Sequence, residues 1–220
     1  MSSVATSTGP GVHKIPVQTR LDTDDRGQGV IVRKTDVTEV PKVGTWYRGA
    51  VVAAVDKKGK TYHVTTREPT PVEQLAAKAA DINAEIYSEQ NRGRAPGKEH
   101  LDLPLLQAKH DLDAAKLRAR GASADEVAKH GAKRPVAVPR LELARQPAAP
   151  WMPAGGFVSV IGAAGDSAIV HSEGYDPQTI PLASLRTVAA GGSNPWVKMS
   201  REDAQRVVDH FAGLPSGGAA

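Results

Sequence analysis

Apolar positions along this chain change their period several times, and the changes divide it into segments. Residues 45–55 (TWYRGAVVAAV) concentrate aromatic and β-branched side chains. Residues 61–66 (TYHVTT) alternate, with Tyr62 and Val64 on one face and His63 and Thr65 on the other, the period of a strand. Between them, Asp56-Lys57-Lys58-Gly59-Lys60 has the composition of a hairpin turn, with Gly59 supplying positive φ. Together with the short apolar run Val30-Ile31-Val32 and the punctuation of Pro41 and Gly44, these define a first β segment over residues 29–68. Residues 1–28 open Ser/Thr/Gly-rich, continue polar with Asp22, Asp24 and Asp25, and predict a flexible N-terminal arm.

The period then lengthens to that of a helix. Thr70-Pro71-Val72-Glu73 is a capping box with proline at the first helical position. Leu75, Ala79, Ile82 and Ile86 line one face, and Asn91, Gly93 and Pro96-Gly97 end the run. A second helix is predicted from Asp102 to Arg120, with Leu105, Ala108, Leu112, Ala115 and Ala119 as its stripe and Gly121 as its stop. Ser123-Ala124-Asp125-Glu126 opens a short third helix that Gly131 closes. Residues 69–131 therefore predict a helical hairpin region.

Prolines dominate residues 132–154. Pro135, Pro139, Pro147, Pro150 and Pro153 forbid a long helix, so this stretch predicts an extended Pro/Ala/Arg-rich linker. Beyond it, 157–161 and 167–171 read as strands around an Ala163-Ala164-Gly165-Asp166 turn. Gly174 and Pro177 mark a bend before 182–185, which predict one helical turn. A C-terminal helix starts at Ser200 with Asp203 in the reciprocal position, and residues 213–220 read as a disordered tail. The order of short strands, tight turns and a late helical turn over about 35 residues resembles the SH3-like or Tudor-like small barrels, without a family motif. The fold class expected is thus α+β: SH3-like elements with an inserted helical hairpin, and a second β segment plus C-terminal helix over 155–212. Each β segment is near the size below which a chain rarely folds alone. Either the two share one core, or each is completed by helices or by another subunit.

Composition narrows the chemistry. The 220 residues contain no cysteine, which excludes disulfides, thiol nucleophiles and cysteine-ligated zinc. The N-terminus has no apolar signal region and no apolar run approaches a membrane span, so synthesis in the cytoplasm and no membrane partner are expected. Aromatics are 4%, against 21 glycines and 16 prolines, which predicts small cores. No pair among His13, His63, His100, His110, His130, His171 and His210 has metal-site spacing, although His63 and His171 both lie on predicted strands. Ser167 follows a glycine turn but lacks the second glycine of a nucleophile elbow, and Gly162-Ala163-Ala164-Gly165 has no phosphate-loop lysine after it. Asp111 and Asp113 fall on different helix faces. Neither a catalytic residue, a metal, a cofactor nor a small-molecule substrate is predicted.

Charge leaves two functional readings. The net charge is +4, from 28 basic and 24 acidic residues. Residues 129–145 alone carry an excess of that size, in Lys129, Lys133, Arg134, Arg140 and Arg145 against Glu142. Lys57, Lys58 and Lys60 add a basic hairpin tip, and Arg92, Arg94 and Lys98 a basic loop. The predicted phosphate contacts are Lys57, Lys58, Lys60, Arg92, Arg94, Lys133, Arg134, Arg140 and Arg145, with Trp46, Tyr47 and Tyr62 available for stacking on bases. Trp151 and Trp196 flank the second β segment beside prolines and are the predicted interface anchors. The leading expectation is a non-enzymatic structural or protein-interaction protein, a subunit of a homo-oligomeric assembly such as a virus particle, docking through β edges, helices and linkers. The alternative is a nucleic-acid-binding accessory protein using the basic loops and linker.

Overall fold

The chain divides into two units, Met1–Thr70 and Pro71–Ala220. The computed structural model describes residues 9–25, 30–88, 93–95, 97–144, 157–172, 175–194, 197 and 199–214, with the backbone alone at 21–25, 30–34 and 88. Among these the architecture is mixed α+β, with five α-helices and antiparallel sheets, one curled into a half-barrel. Trp151 and Trp196, like Arg92 and Arg145, lie outside the described residues.

In the first unit the strands are β1 (Gly11–Pro16), β2 (Thr19–Asp25), β3 (Val30–Asp36), β4 (Trp46–Tyr47), β5 (Ala50–Lys58) and β6 (Thr61–Arg67). A four-stranded antiparallel sheet has the order β1-β6-β5-β4, while β2 and β3 form a separate ribbon. Turn chemistry sets the register. Arg48 and Gly49, between β4 and β5, have φ of 52° and 80°, as a type I′ loop requires at both central positions. Between β5 and β6, Gly59 takes φ of 60° at the first central position, as in a type II′ loop.

Strands β1 and β2 correct the reading of residues 1–28 as a flexible arm over 11–25; residues 1–8 and 26–28 lie outside the described residues. The signal was hidden by a histidine. In β1, His13 and Ile15 face one side, but His13 counts as polar in a hydropathy pattern. Its side chain is buried, with Nε2 3.3 Å from the Thr66 hydroxyl and its ring edge-on to Tyr47 at 5.5 Å. At the end of the ribbon, Asp36 accepts from Lys57 Nζ at 2.5 Å and from the Tyr62 hydroxyl at 2.7 Å, which ties β3 to β5 and β6.

In the second unit the elements are α1 (Pro71–Ile86), β7 (Tyr87–Ser88), β8 (Gly93–Arg94), α2 (Asp102–Ala119), α3 (Ala124–Gly131), β9 (Pro135–Glu142), β10 (Ser159–Ala164), β11 (Ser167–His171), β12 (Gln178–Pro181), α4 (Leu182–Ala189) and α5 (Arg201–Ala212). Helices α1 and α2 pack together. Two caps form as the sequence predicts. Ser123 Oγ accepts from the Glu126 amide at 3.2 Å, and Ser200 Oγ accepts from the Asp203 amide at 3.0 Å. Helix α1 stops at Ile86, short of Asn91, because the chain turns there into the small β7–β8 ribbon, Tyr87 opposite Arg94. Helix α4 is eight residues, longer than the single turn expected.

The linker reading of residues 132–154 is corrected over its first half, where β9 pairs with β10. The prolines are tolerated for two reasons. In the order β12-β11-β10-β9, strand β9 is an edge. Its register also shifts, with Ala137 opposite Gly162 and Leu141 opposite Val160, so Pro139 sits in an irregularity where no ladder donor is needed. The close approach of the strands there requires glycine: a Cβ on Gly162 would lie 2.8 Å from the Val136 carbonyl oxygen and 3.0 Å from Leu103 Cδ1.

All five residues of β11 are buried, so helices cover both faces of this sheet. Ala168 and Val170 belong to the main core, with Val160, Ile180, Leu185, Val188, Ala204 and Val207 from the neighbouring strands, α4 and α5. Ile169 and His171 face the other way, toward Leu103 and Asp102 of α2. The Gly165-Asp166 turn is a plain hairpin, with φ of 59° at Gly165 and Ala164 paired to Ser167.

Candidate functional site

Three places bring together polar or apolar groups that the fold does not fully use. The first is the sheet of Met1–Thr70. Its buried apolar residues, among those described, are Ala50, Val51, Val52 and Val64. Against this small core, Val12, Val37, Val43 and Trp46 are exposed, Val12 and Val43 by more than half. Register places two of them on one face. Val12 pairs with Thr65 and Trp46 with Val51, which pairs with Arg67; Thr65 and Arg67, two apart on β6, point the same way. Val12 and Trp46 therefore share one side of the sheet.

The second place is a buried polar cluster under the second sheet. The Arg94 side chain is 7% exposed and pairs with Asp102, which is 1% exposed. Arg94 Nη1 also lies 3.3 Å from Asp176, which accepts from the Tyr87 hydroxyl. His171 Nε2 is 3.9 Å from the second Asp102 oxygen, and Ser159 stands opposite His171 in the ladder. Burial pushes His171 below its ordinary pKa, with Arg94 adding to the effect while Asp102 opposes it. Its inner members are buried, Ser159 0% and His171 4% exposed, while Asp176 reaches the surface at 72%. A serine, a histidine and an aspartate are adjacent here, and the Arg94–Asp102 pair with His171 braces β8, α2 and β11 together.

The third is an open groove of about 550 Å³ lined by Leu106, His110, Asp113, His130, Lys133 and Asp166, among others. The two histidines stack on each other in its lining, and nothing in their spacing, twenty residues apart, flags the pair in sequence.

The predicted phosphate contacts separate into engaged and free groups. Lys57 is held by Asp36, whose carboxyl is driven far below the usual range, chiefly by that ammonium and then by Thr38 and Tyr62. Arg134 makes a bidentate pair with Asp111 at 2.8 and 2.9 Å, and Arg140 pairs with Glu142. Arg94 is corrected from a loop cation to a buried one. Lys58, Lys60 and Lys133 are exposed. Of the stacking candidates, Tyr62 is bonded to Asp36 and Tyr47 packs on His13 beneath Arg48, while Trp46 is open. Among the described residues no group of three or more His, Cys, Asp or Glu is placed to hold a metal ion, and no helix is long and apolar enough to cross a membrane. Comparison with protein-family models, with curated proteins and with solved structures finds no match for this chain.

Proposed function

We propose that this is a non-enzymatic interaction protein that builds a homo-oligomeric assembly, such as part of a virus particle, by docking the exposed apolar positions on the sheet of its first unit against another copy. The second unit, with its small-barrel-like β segment and helices, is the scaffold carried by that contact. One observation supports the reading: the first unit buries Ala50, Val51, Val52 and Val64 yet leaves Val12, Val43 and Trp46 61%, 63% and 44% exposed. A surface of this kind is incomplete without a partner.

The magnitude sets the mode of association. Covering the two that share a face, Val12 and Trp46, contributes about 2–3 kcal/mol per copy. Lost translational and rotational freedom costs at least about 4 kcal/mol. One contact is therefore weak, and assembly gains strength when several close together. Light scattering over rising concentration, with and without nucleic acid, tests this. The expected result is a mass above one chain at high concentration, abolished by Trp46→Asp. A strict monomer at every concentration overturns it. Nucleic-acid binding stands second because Lys57, Arg94, Arg134 and Arg140 are already matched to carboxylates, which lowers the charge free to meet phosphate; a mass increase that needs nucleic acid and collapses with salt would reverse the order.

A further inference from the structure

The corner where α2 meets α3 holds a histidine pair that docking through the first unit leaves unused. His110 of α2 and His130 of α3 lie face to face, ring centroids 3.9 Å apart and planes within 12° of parallel. Nε2 of His110 is 2.9 Å from the carbonyl oxygen of His130, and Nε2 of His130 is 3.1 Å from the carbonyl oxygen of His110. A carbonyl only accepts, so each ring carries its proton on Nε2 and donates it across the helix pair. A second proton has to enter at Nδ1.

That position is poorly served. Nδ1 of His110 is buried without a hydrogen-bond partner. The Asp111 carboxylate is 4.0 Å from it, but both Asp111 oxygens already accept from Arg134. Asp113 is engaged with Lys116 at 3.3 Å. Lys133 from the turn after α3 and Asp166 from the β10–β11 turn stand along the same groove, and Lys78 of α1 acts on Asp111. Charging one ring thus opposes burial with little compensation, and charging both sets two cations at stacking distance. Burial pushes His110 below the ordinary histidine range, helped by the charges of His130 and Arg134 and opposed by the bond to the His130 backbone and by Asp111.

Helix α3 has few other anchors. None of its residues is buried, Val127 is half-buried, and the Arg120–Glu126 pair is exposed on both sides. We propose that the stacked His110–His130 pair is a pH-sensitive latch, holding α3 against α2 at neutral pH and releasing it on acidification. The sign follows from the neutral rings being the folded form. The latch is complete above the ordinary histidine value of about 6.5 and is lost as pH falls through the lower folded value. Release moves one wall of the 550 Å³ groove.

Amide hydrogen exchange on the full chain, corrected for intrinsic rates, tests the latch together with NMR titration of the histidine rings. Protection of residues 127–131 is expected to fall between pH 7.5 and pH 5 as the latch is lost. Helix α1, which has no histidine, keeps its protection. Replacing both rings, His110→Gln with His130→Gln, flattens the response, while His100→Gln on the exposed turn before α2 preserves it. Equal α3 protection at both pH values overturns the proposal, as does a pH response that survives the double substitution. If the double variant fails to fold, the wild-type titration decides: both rings protonating at or above the ordinary value refutes the latch.

Discussion

Removing Asp102 should unfold the second unit far more readily than removing Asp102 and Arg94 together. In Asp102→Leu, the guanidinium of Arg94, 7% exposed, keeps only Asp176, whose side chain is 72% exposed and 3.3 Å away. A charge stranded in that way costs about 3–5 kcal/mol, a large part of the 5–15 kcal/mol typical of a folded domain. Substituting Arg94→Met as well removes the stranded charge and leaves an apolar pair of similar bulk. The double variant is expected within about 1 kcal/mol of wild type. Urea unfolding followed by far-UV circular dichroism reads the difference. With a slope of about 2 kcal/mol/M, the single variant's midpoint falls by about 1.5–2.5 M. His171 supplies an independent readout: Asp102 favours its charged form, so Asp102→Leu lowers its pKa further. A single-variant loss below about 1 kcal/mol, or a double variant as unstable as the sum of both singles, refutes the brace.

Two further predictions concern packing and capping in the same unit. Gly162→Ala places a Cβ 2.8 Å from the Val136 carbonyl oxygen, and because backbone rather than a side-chain tip is in the way, thermal unfolding should show a loss of about 1–3 kcal/mol. Ser200→Ala removes the acceptor for the Asp203 amide and the hydroxyl donor to its carboxylate, 3.0 and 3.1 Å away; about 1 kcal/mol is lost, and Ser200→Asn, which caps equally well, restores it.

What could be read from sequence was local, and what could not was a matter of distance along the chain. Helix α2 begins at Asp102 and the caps at Ser123 and Ser200 form because period, cap and stop lie within a few residues of each other. Strand β9 looks like linker in sequence because Pro135 and Pro139 veto a central strand, whereas an edge with a register shift accepts both. Strand β1 was lost because His13 is polar by type and buried by circumstance. Arg94 and the His110–His130 stack were illegible for the same reason: a loop folding back on Asp102, and a turn that returns α3 along α2, decide their surroundings. The charge excess is visible in composition, but its availability depends on Asp36, Asp111 and Glu142, partners that no spacing rule identifies.

The proposed docking fits a face of the first unit better than an edge of it. Strand β11 is buried throughout, so its sheet needs no further apolar cover. Strand β6 alternates, with Val64 and Thr66 buried and Thr65 half-buried, while Ala50, Val51 and Val52 of β5 are buried in succession, so the face that carries Val12 and Trp46 is covered at Val51 and open only toward β1 and β4. Edge pairing by β1 is disfavoured by its own sequence. The Val17 amide donates to the Lys60 carbonyl oxygen at 2.9 Å, which turns the backbone of residues 13, 15 and 17 toward β6 and that of 12, 14 and 16 outward. Outward, Pro16 has no donor and Lys14 carries a charge, the two devices that keep edge strands from adding to one another. At the opposite edge, β4 is two residues long, too short to template a new strand. In the proposed assembly the apolar surface at Val12 and Trp46 associates through side chains, and a substitution there should weaken association without changing backbone pairing within the sheet.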